Sequence, residues 1–288
     1  MTADDSRRKV ADLETLHIDL EPRLRDVYVE GRSDQQLFMW YFREAGISVS
    51  GVYAVDDRAE VPSDQVLAAG AEVGPRGRIV GLAHAASLWN MSHPGITCIV
   101  DADRSLLVPE SAIPGLLLTD YAAIEGYLFQ ARPLDQFLQL VVGTDVESRS
   151  VIDLVTPALN DLYVVRAVLH LEGPNVRLIE RFQRCCSLRR GVWEVNTDEL
   201  ISRSLAAAGA SQERERVISQ YAVYRNQMPS DPSVAIRGHD IAPMLIEALE
   251  LRNDLAKPDV VERALRGCLN LDDLDDQPMF RALRARLT

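Results

Sequence analysis

Acidic side chains follow three apolar, strand-like runs in the first half of this 288-residue sequence. Glu30 follows DVYV, Asp101 and Asp103 follow ITCIV within IVDADRS, and Asp120 follows LLLT. Carboxylate oxygens suit Mg²⁺, or Mn²⁺ with the same ligands, and two or three of them suffice when substrate phosphate and water complete the shell. Such an ion could polarise a phosphoryl oxygen and activate water, while Glu30 could bind the metal or transfer a proton.

A structural interpretation stands beside this chemical one. Asp101 and Asp103 could simply form a turn after a strand, because Asp favours turns. Glu30 could likewise be a solvated residue where a buried strand leaves the core.

The elements around these residues predict how they are positioned. Strands are expected at 26–29, 51–55, 95–100 and 115–119, with helices between them, the first after a capping box of Ser33 and Gln36. This alternation predicts right-handed βαβ units and an α/β fold with a parallel sheet flanked by helices. Ligands of such sheets bind beyond the carboxyl ends of the strands, which is where the acidic residues fall.

A change of pattern near residue 132 predicts two regions. Residues 22–132 would form the α/β metal-binding domain, and residues 133–288 a mainly helical C-terminal region. The clearest amphipathic runs of the second region are RPLDQFLQLVV, VIDLVTPALNDLYVVRAVLHL and IAPMLIEALEL.

Composition limits the classes of function. With 47% hydrophobic and 26% charged residues, no apolar run of membrane-spanning length and no signal-peptide core, we expect a soluble cytoplasmic protein. Four cysteines without a CxxC pair indicate reduced, mostly buried thiols, and no Cys/His spacing indicates zinc.

The formal net charge of −12 argues against a surface that coats nucleic acid, although it allows a local basic groove. The segment from Arg177 to Arg190 is the candidate, because Arg177, Arg181 and Arg184 recur at helical spacing. A solvated helix face is the other interpretation of this segment.

Two motifs carry a resemblance to a known family. VEGRSD, followed about seventy residues later by IVDADRS, resembles the Toprim domain, whose signature is a Glu after the first strand and a DxD after a later one. TDYAAIEGYLF and IRGHDIAPML are similar to the DUF4435 proteins, a Toprim-like group related to the OLD-family nucleases that includes effectors of bacteriophage defence. The resemblance covers roughly residues 26–130, with an outlying match at 238–240.

The resemblance implies a magnesium-dependent nuclease that cleaves RNA, transfer RNA included, or DNA. It assigns the catalytic glutamate to Glu30 and the metal aspartates to Asp101 and Asp103. Asp34 matches a further acidic residue, although it could instead favour the first turn of a helix through the helix dipole.

The remaining matches are less direct. Asp120 and Glu125 match TDY…IE and would complete the acidic cluster, although Glu125 could be an ordinary first-turn carboxylate. His239 could be a phosphate ligand and Asp240 a helix cap.

Partners follow from the same resemblance. The chain lacks GxxxxGK[ST], so an ATPase of the kind that accompanies OLD-like nucleases would be a separate protein. Self-association into a homo-oligomer could bring the Arg177–Arg190 segments together, and no membrane partner is expected. The alternative to an enzyme is a non-catalytic Toprim-fold module that binds or regulates a partner.

Overall fold

The computed structural model describes residues 7–89, 95–173 and 176–288. Contacts divide the chain into two compact units. The first unit contains Met1–Asp101, Glu110–Asp120 and Leu274–Thr288, and the second contains Ala102–Pro109 and Tyr121–Asp273. The chain passes between the units more than once, whereas the domains predicted from sequence, 22–132 and 133–288, are each continuous.

The first unit is built on a parallel sheet. Its strands are β1 (Arg8–Lys9), β2 (Asp26–Val29), β3 (Gly51–Ala54), β4 (Ala59–Glu60), β5 (Ile96–Val100) and β6 (Leu116–Leu118). Four of them form the sheet in the order β3-β2-β5-β6, all parallel, while β1 pairs with β4 separately. All residues of β2 and β5 are buried, as expected for central strands covered on both faces.

Helices flank this sheet. They are α1 (Val10–Thr15), α2 (Arg32–Glu44), α3 (Val55–Arg58), α4 (Ser63–Ala68) and α5 (Pro75–Ser87), with a π-helical turn at Leu16–Leu20. Tyr28 of β2 and Cys98 of β5 share one buried apolar cluster with Ile79 and Leu82 of α5. The predicted α/β class with a parallel sheet flanked by helices is therefore confirmed.

The predicted capping box of Ser33 and Gln36 is wrong. Helix α2 begins at Arg32 with Gly31 as its N-cap, and the Asp34 carboxylate accepts the Gly31 N–H at 3.2 Å. The capping carboxylate therefore lies two residues before the predicted Gln36.

The second unit is mainly helical, as the sequence predicted for the C-terminal part. Its helices are α6 (Ala131–Gln136), α7 (Ser148–Leu171), α8 (Thr197–Ala207), α9 (Arg214–Asn226), α10 (Gly238–Ala248) and α11 (Pro258–Gly267). The short α12 (Leu271–Asp275) leads the chain back to the first unit, where α13 (Pro278–Leu287) ends it. No helix within the described ranges is both long and apolar enough to cross a membrane.

The arginine-rich segment is not the helix that its spacing suggested. Arg177 lies in irregular chain, a 3-10 turn spans Phe182–Cys185, and β7 (Cys186–Arg189) pairs antiparallel with β8 (Val192–Val195). The connecting residues Arg190 and Gly191 both have positive φ, as a type I′ hairpin turn requires. All four cysteines are free, and Cys98, Cys185 and Cys268 are buried, which confirms that prediction.

The C-terminal helix α13 packs against α2 and the sheet within the first unit. The Phe280 ring lies 4.7 Å from the Tyr41 ring and 5.7 Å from the Phe38 ring, centroid to centroid, against α2. Arg286 donates to Thr97 Oγ1 at 3.0 Å and to the Ile96 carbonyl at 3.2 Å. The last residues of the chain are thus part of the fold that holds the sheet.

Candidate functional site

Glu30 and Asp101 meet at the carboxyl edge of the sheet. Each directly follows a central strand, Glu30 after β2 and Asp101 after β5, and these strands are parallel neighbours. Glu30 Oε1 accepts the Asp101 N–H at 3.1 Å, and both residues are half-buried. The structure therefore brings together two of the acidic residues that the sequence singled out.

The chain around Glu30 is shaped to leave the sheet at this point. Gly31 follows Glu30 as the N-cap of α2, and the Asp34 carboxylate accepts a hydrogen bond from the Gly31 N–H. Glu30 therefore precedes a helix N-terminus, whose partial positive charge stabilises a nearby carboxylate. Asp34 serves as a helix cap, and its predicted role as a metal ligand stays a prediction.

Arg76 is a neighbour of Asp101 that sequence reasoning missed. It lies in the first turn of α5, where its Nε is 3.4 Å from the Asp101 carbonyl and its Nη2 donates to Glu110 at 3.0 Å. Only one fifth of the side chain is exposed. No local signal in GPRGR distinguishes Arg76 from Arg78, because the contact depends on how α5 packs beside β5.

Asp120 holds the C-terminal helix. Its two carboxylate oxygens lie 3.1 and 3.2 Å from the N–H of Met279, near the start of α13. The first amides of a helix have no partner within the helix, so this carboxylate caps one of them. Its predicted part in an acidic cluster stays a prediction.

Asp103 belongs to the second unit and has an unusual backbone. Its φ of 42° is in the left-handed region, which costs a residue with a side chain about 1–3 kcal/mol. Two hydrogen bonds hold this conformation: the Asp103 N–H donates to the Ala122 carbonyl at 2.9 Å, and the Tyr163 hydroxyl donates to the Asp103 carbonyl at 2.7 Å. Burial raises the pKa of Tyr163, and the charge of Asp103 raises it further, so Tyr163 remains a donor.

Glu125 is a buried member of an ion pair. It lies in a 3-10 turn, Ile124–Tyr127, and its Oε1 accepts from Arg266 Nη2 at 2.8 Å. Gly238, the first residue of α10, packs directly against the Glu125 side chain. The resemblance assigned Glu125 to the acidic cluster, and that assignment stays a prediction.

In the RGHD segment, Asp240 is buried and His239 is exposed. Asp240 does not cap α10, as the sequence suggested; it is buried inside the first turn and accepts two hydrogen bonds from Arg166, at 2.6 and 2.8 Å. His239 is exposed, and its hydrogen bond to Glu262 raises its pKa. The cap prediction is therefore wrong, because Asp240 neutralises a distant arginine instead.

A cavity of about 290 Å³ lies in the second unit. We call it the arginine pocket, and its polar lining consists of Asp103, Arg104, Tyr163, Arg166, His170 and Arg237. Sequence reasoning sought a basic surface in the Arg177–Arg190 segment and missed this pocket, because its polar lining comes from three distant stretches of chain.

The type of metal that the first unit could hold follows from its donors. Within the described part of the chain, no three or more His, Cys, Asp or Glu side chains are grouped closely enough to hold a metal ion. Mg²⁺ commonly takes one or two carboxylates and completes its shell with water and substrate phosphate. The Glu30 carboxylate lies at the backbone N–H of Asp101, so the two carboxylate-bearing residues that would hold such an ion are adjacent at the sheet edge.

The fold and site together define an α/β protein with two acidic residues at the carboxyl edge of a parallel sheet. In comparisons with known proteins, no family model matches the chain, and no curated protein has a significant match to it.

Proposed function

We propose that this protein is a metal-dependent phosphodiesterase that hydrolyses nucleic acid, with Glu30 and Asp101 at its reaction centre. The observation that carries the proposal is the 3.1 Å hydrogen bond from the Asp101 N–H to Glu30 Oε1 at the ends of two adjacent parallel strands. This edge is where sheets of this kind bind their ligands. The resemblance of VEGRSD and IVDADRS to the Toprim signature supports the same residues.

Glu30 and Asp101 would hold Mg²⁺ or Mn²⁺. When bound, the ion supplies positive charge that polarises a phosphoryl oxygen and makes water a better nucleophile. The catalytic role proposed for Asp103 comes from the DxD motif alone. Asp103 lies two residues after Asp101 along the chain, and the Asp103→Asn variant tests its role separately from that of Asp101.

Glu30 is the residue we assign to proton transfer or metal binding. Its carboxylate is oriented by the Asp101 N–H and is half-buried, so it is less hydrated than a surface glutamate. Arg76, held between the Asp101 carbonyl and Glu110, is suited to neutralising charge on a substrate phosphate beside Asp101. The remaining acidic residues support the fold: Asp34 caps α2 and Asp120 caps α13.

The test is cleavage of RNA, transfer RNA and DNA by the purified chain with Mg²⁺, with Mn²⁺ and with a chelator. Glu30→Gln should lower the rate by about 100-fold or more, because general acid–base groups contribute that much, and should leave the fold intact. Glu60→Gln makes the same chemical change at an exposed position of the same unit and should cleave like the parent.

Separate Asp101→Asn and Asp103→Asn variants, each titrated with Mg²⁺ in a calorimeter, show which aspartate binds the ion. Full activity in well-folded Glu30→Gln would remove Glu30 from the mechanism. Metal binding without cleavage of any substrate would favour the alternative, a module that binds or regulates a partner.

We also propose that cleavage is stimulated by a separate ATPase or by self-association. The chain carries a net charge of −12, which opposes unassisted capture of phosphate backbones. Cleavage measured across a salt series, with and without a candidate ATPase, tests this: fast cleavage by the lone monomer at physiological salt would show that no partner is required.

A further inference from the structure

We propose that the arginine pocket of the second unit binds a phosphate group of a nucleotide or nucleic acid. The proposal deepens the proposed function, because it names a second substrate-binding site on the same chain. Phosphate binding there can nevertheless be measured without any cleavage.

The lining of the arginine pocket carries an excess of positive charge. Three guanidinium groups, of Arg104, Arg166 and Arg237, line the cavity with a single carboxylate, that of Asp103. Asp240 neutralises Arg166, which still leaves a surplus of one positive charge in the lining. In a chain with a net charge of −12, a cavity of this sign is selective for anions.

Arg166 is oriented before any ligand binds. Its Nε and Nη2 donate to the two oxygens of buried Asp240, and its guanidinium carbon lies 5.8 Å from the centre of the Phe182 ring. A side chain that is fixed before binding loses little conformational freedom when a ligand arrives. Arg166 thus contributes a guanidinium group held in a fixed position in the wall, and Asp240 balances its charge.

Arg237 is the group that is ready to take a ligand. Within residues 7–89, 95–173 and 176–288, no hydrogen bond or ion pair holds its guanidinium. The side chain of Arg237 is exposed. Surrounding protein lowers its pKa, as does the positive charge of Arg166, while Asp240, Asp103 and Glu125 act in the opposite direction. A bound anion would relieve both penalties, because it supplies hydrogen-bond acceptors and negative charge.

Phosphate is the anion that fits best. The planar guanidinium donates two parallel hydrogen bonds to phosphate oxygens, and arginine is the residue most suited to this geometry. The volume of about 290 Å³ is close to the lower end of the range for small-molecule sites, about 300 Å³, and exceeds the need of a small inorganic ion. A nucleotide or one residue of a nucleic-acid strand therefore matches the space.

The experiment measures binding by calorimetry on the full chain in the presence of a chelator, so that cleavage cannot occur. The probes are inorganic phosphate, a 5′-mononucleotide and a short oligonucleotide. Arg237→Gln should weaken binding by about 10- to 100-fold, as expected for loss of hydrogen bonds to a charged group. Arg263→Gln, an exposed arginine of the same unit outside the pocket, should bind like the parent.

The outcomes separate this inference from the proposed function. Arg237-dependent binding of the mononucleotide identifies a nucleotide ligand, and Arg237-dependent binding of the oligonucleotide alone identifies the strand backbone; both support the pocket. Glu30→Gln should keep this binding while losing cleavage. If the parent binds the probes but cleaves no substrate, the nuclease proposal is refuted and the pocket is not. No binding of any probe, or equal binding by folded Arg237→Gln, overturns the inference.

Discussion

Gly238→Ala should destabilise the second unit strongly, although alanine is normally the better helix residue. Gly238 begins α10 against the side chain of Glu125. A methyl group added there would overlap Glu125 Oε2 and lie 2.7 Å from its Cδ and 2.8 Å from its Cβ. Since carbon atoms pack at about 3.5–4.0 Å, either the carboxylate or the helix must move by roughly an ångström.

The magnitude follows from what Glu125 would lose. Overpacking of a filled core costs about 1–3 kcal/mol. Moving the carboxylate also breaks its 2.8 Å contact with Arg266, and breaking a buried pair costs about 3–5 kcal/mol at most. Arg266 keeps about one fifth of its side chain in water, which reduces that second cost. We expect a total loss of about 2–4 kcal/mol in the free energy of unfolding.

Urea unfolding of the full chain, followed by circular dichroism, measures this loss. Gly267→Ala is the matched control, because a methyl group at Gly267, which ends α11, meets no atom within 4 Å; it should be neutral or slightly stabilising. In a Glu125→Ala background only the Cβ contact remains, so the cost of Gly238→Ala should fall by at least about 1 kcal/mol. A Gly238→Ala protein as stable as Gly267→Ala would refute the packing argument.

Three further predictions concern stability and pH. Asp26→Ala removes the carboxylate that lies 3.3 Å from the buried His17 Nε2, and should cost about 1–3 kcal/mol in urea unfolding, with Asp26→Asn closer to the parent. Asp34→Ala should cost about 1 kcal/mol through loss of the α2 cap; unchanged stability with weaker Mg²⁺ affinity would instead favour a ligand role. The hydrogen bond to Glu262 raises the pKa of His239, so its small stabilisation is fully present below about pH 6.5, the ordinary pKa of histidine, and is lost as pH rises through the raised value. The free energy of unfolding of His239→Gln and of the parent, measured at low and at high pH, checks this. A His239→Gln protein that is less stable than the parent only at high pH would contradict it.

The sequence by itself determined the sheet and the acidic pair at its edge. The runs DVYV and ITCIV are continuously apolar, which is typical of parallel strands covered on both faces, and both are buried in the structure. Because parallel strands end at one edge, Glu30 and Asp101 were expected at the same edge of the sheet. The tertiary structure decided that β2 and β5 are neighbours there. The local apolar pattern was sufficient to predict these two central strands.

The local pattern gave the wrong structure for the Arg177–Arg190 segment, which could be interpreted either as a helix or as strands. The arginines from 177 to 190 fit a helical spacing, but residues 186–195 form a hairpin. The Arg190-Gly191 turn was the available signal, since its two positive φ angles match the twist of paired strands. Half-exposed strands give a weak apolar alternation, so the arginine spacing was the more visible feature.

Only the tertiary structure decided the partners of the charged residues. Asp240 meets Arg166 across 74 residues, and Glu125 meets Arg266 across 141. The arginine pocket likewise draws on residues 103–104, 163–170 and 237. A charged side chain carries the same local signal whether it is solvated, caps a helix or pairs with a distant charge. Its role is fixed by the packing of helices and strands, which brings together residues that the sequence separates.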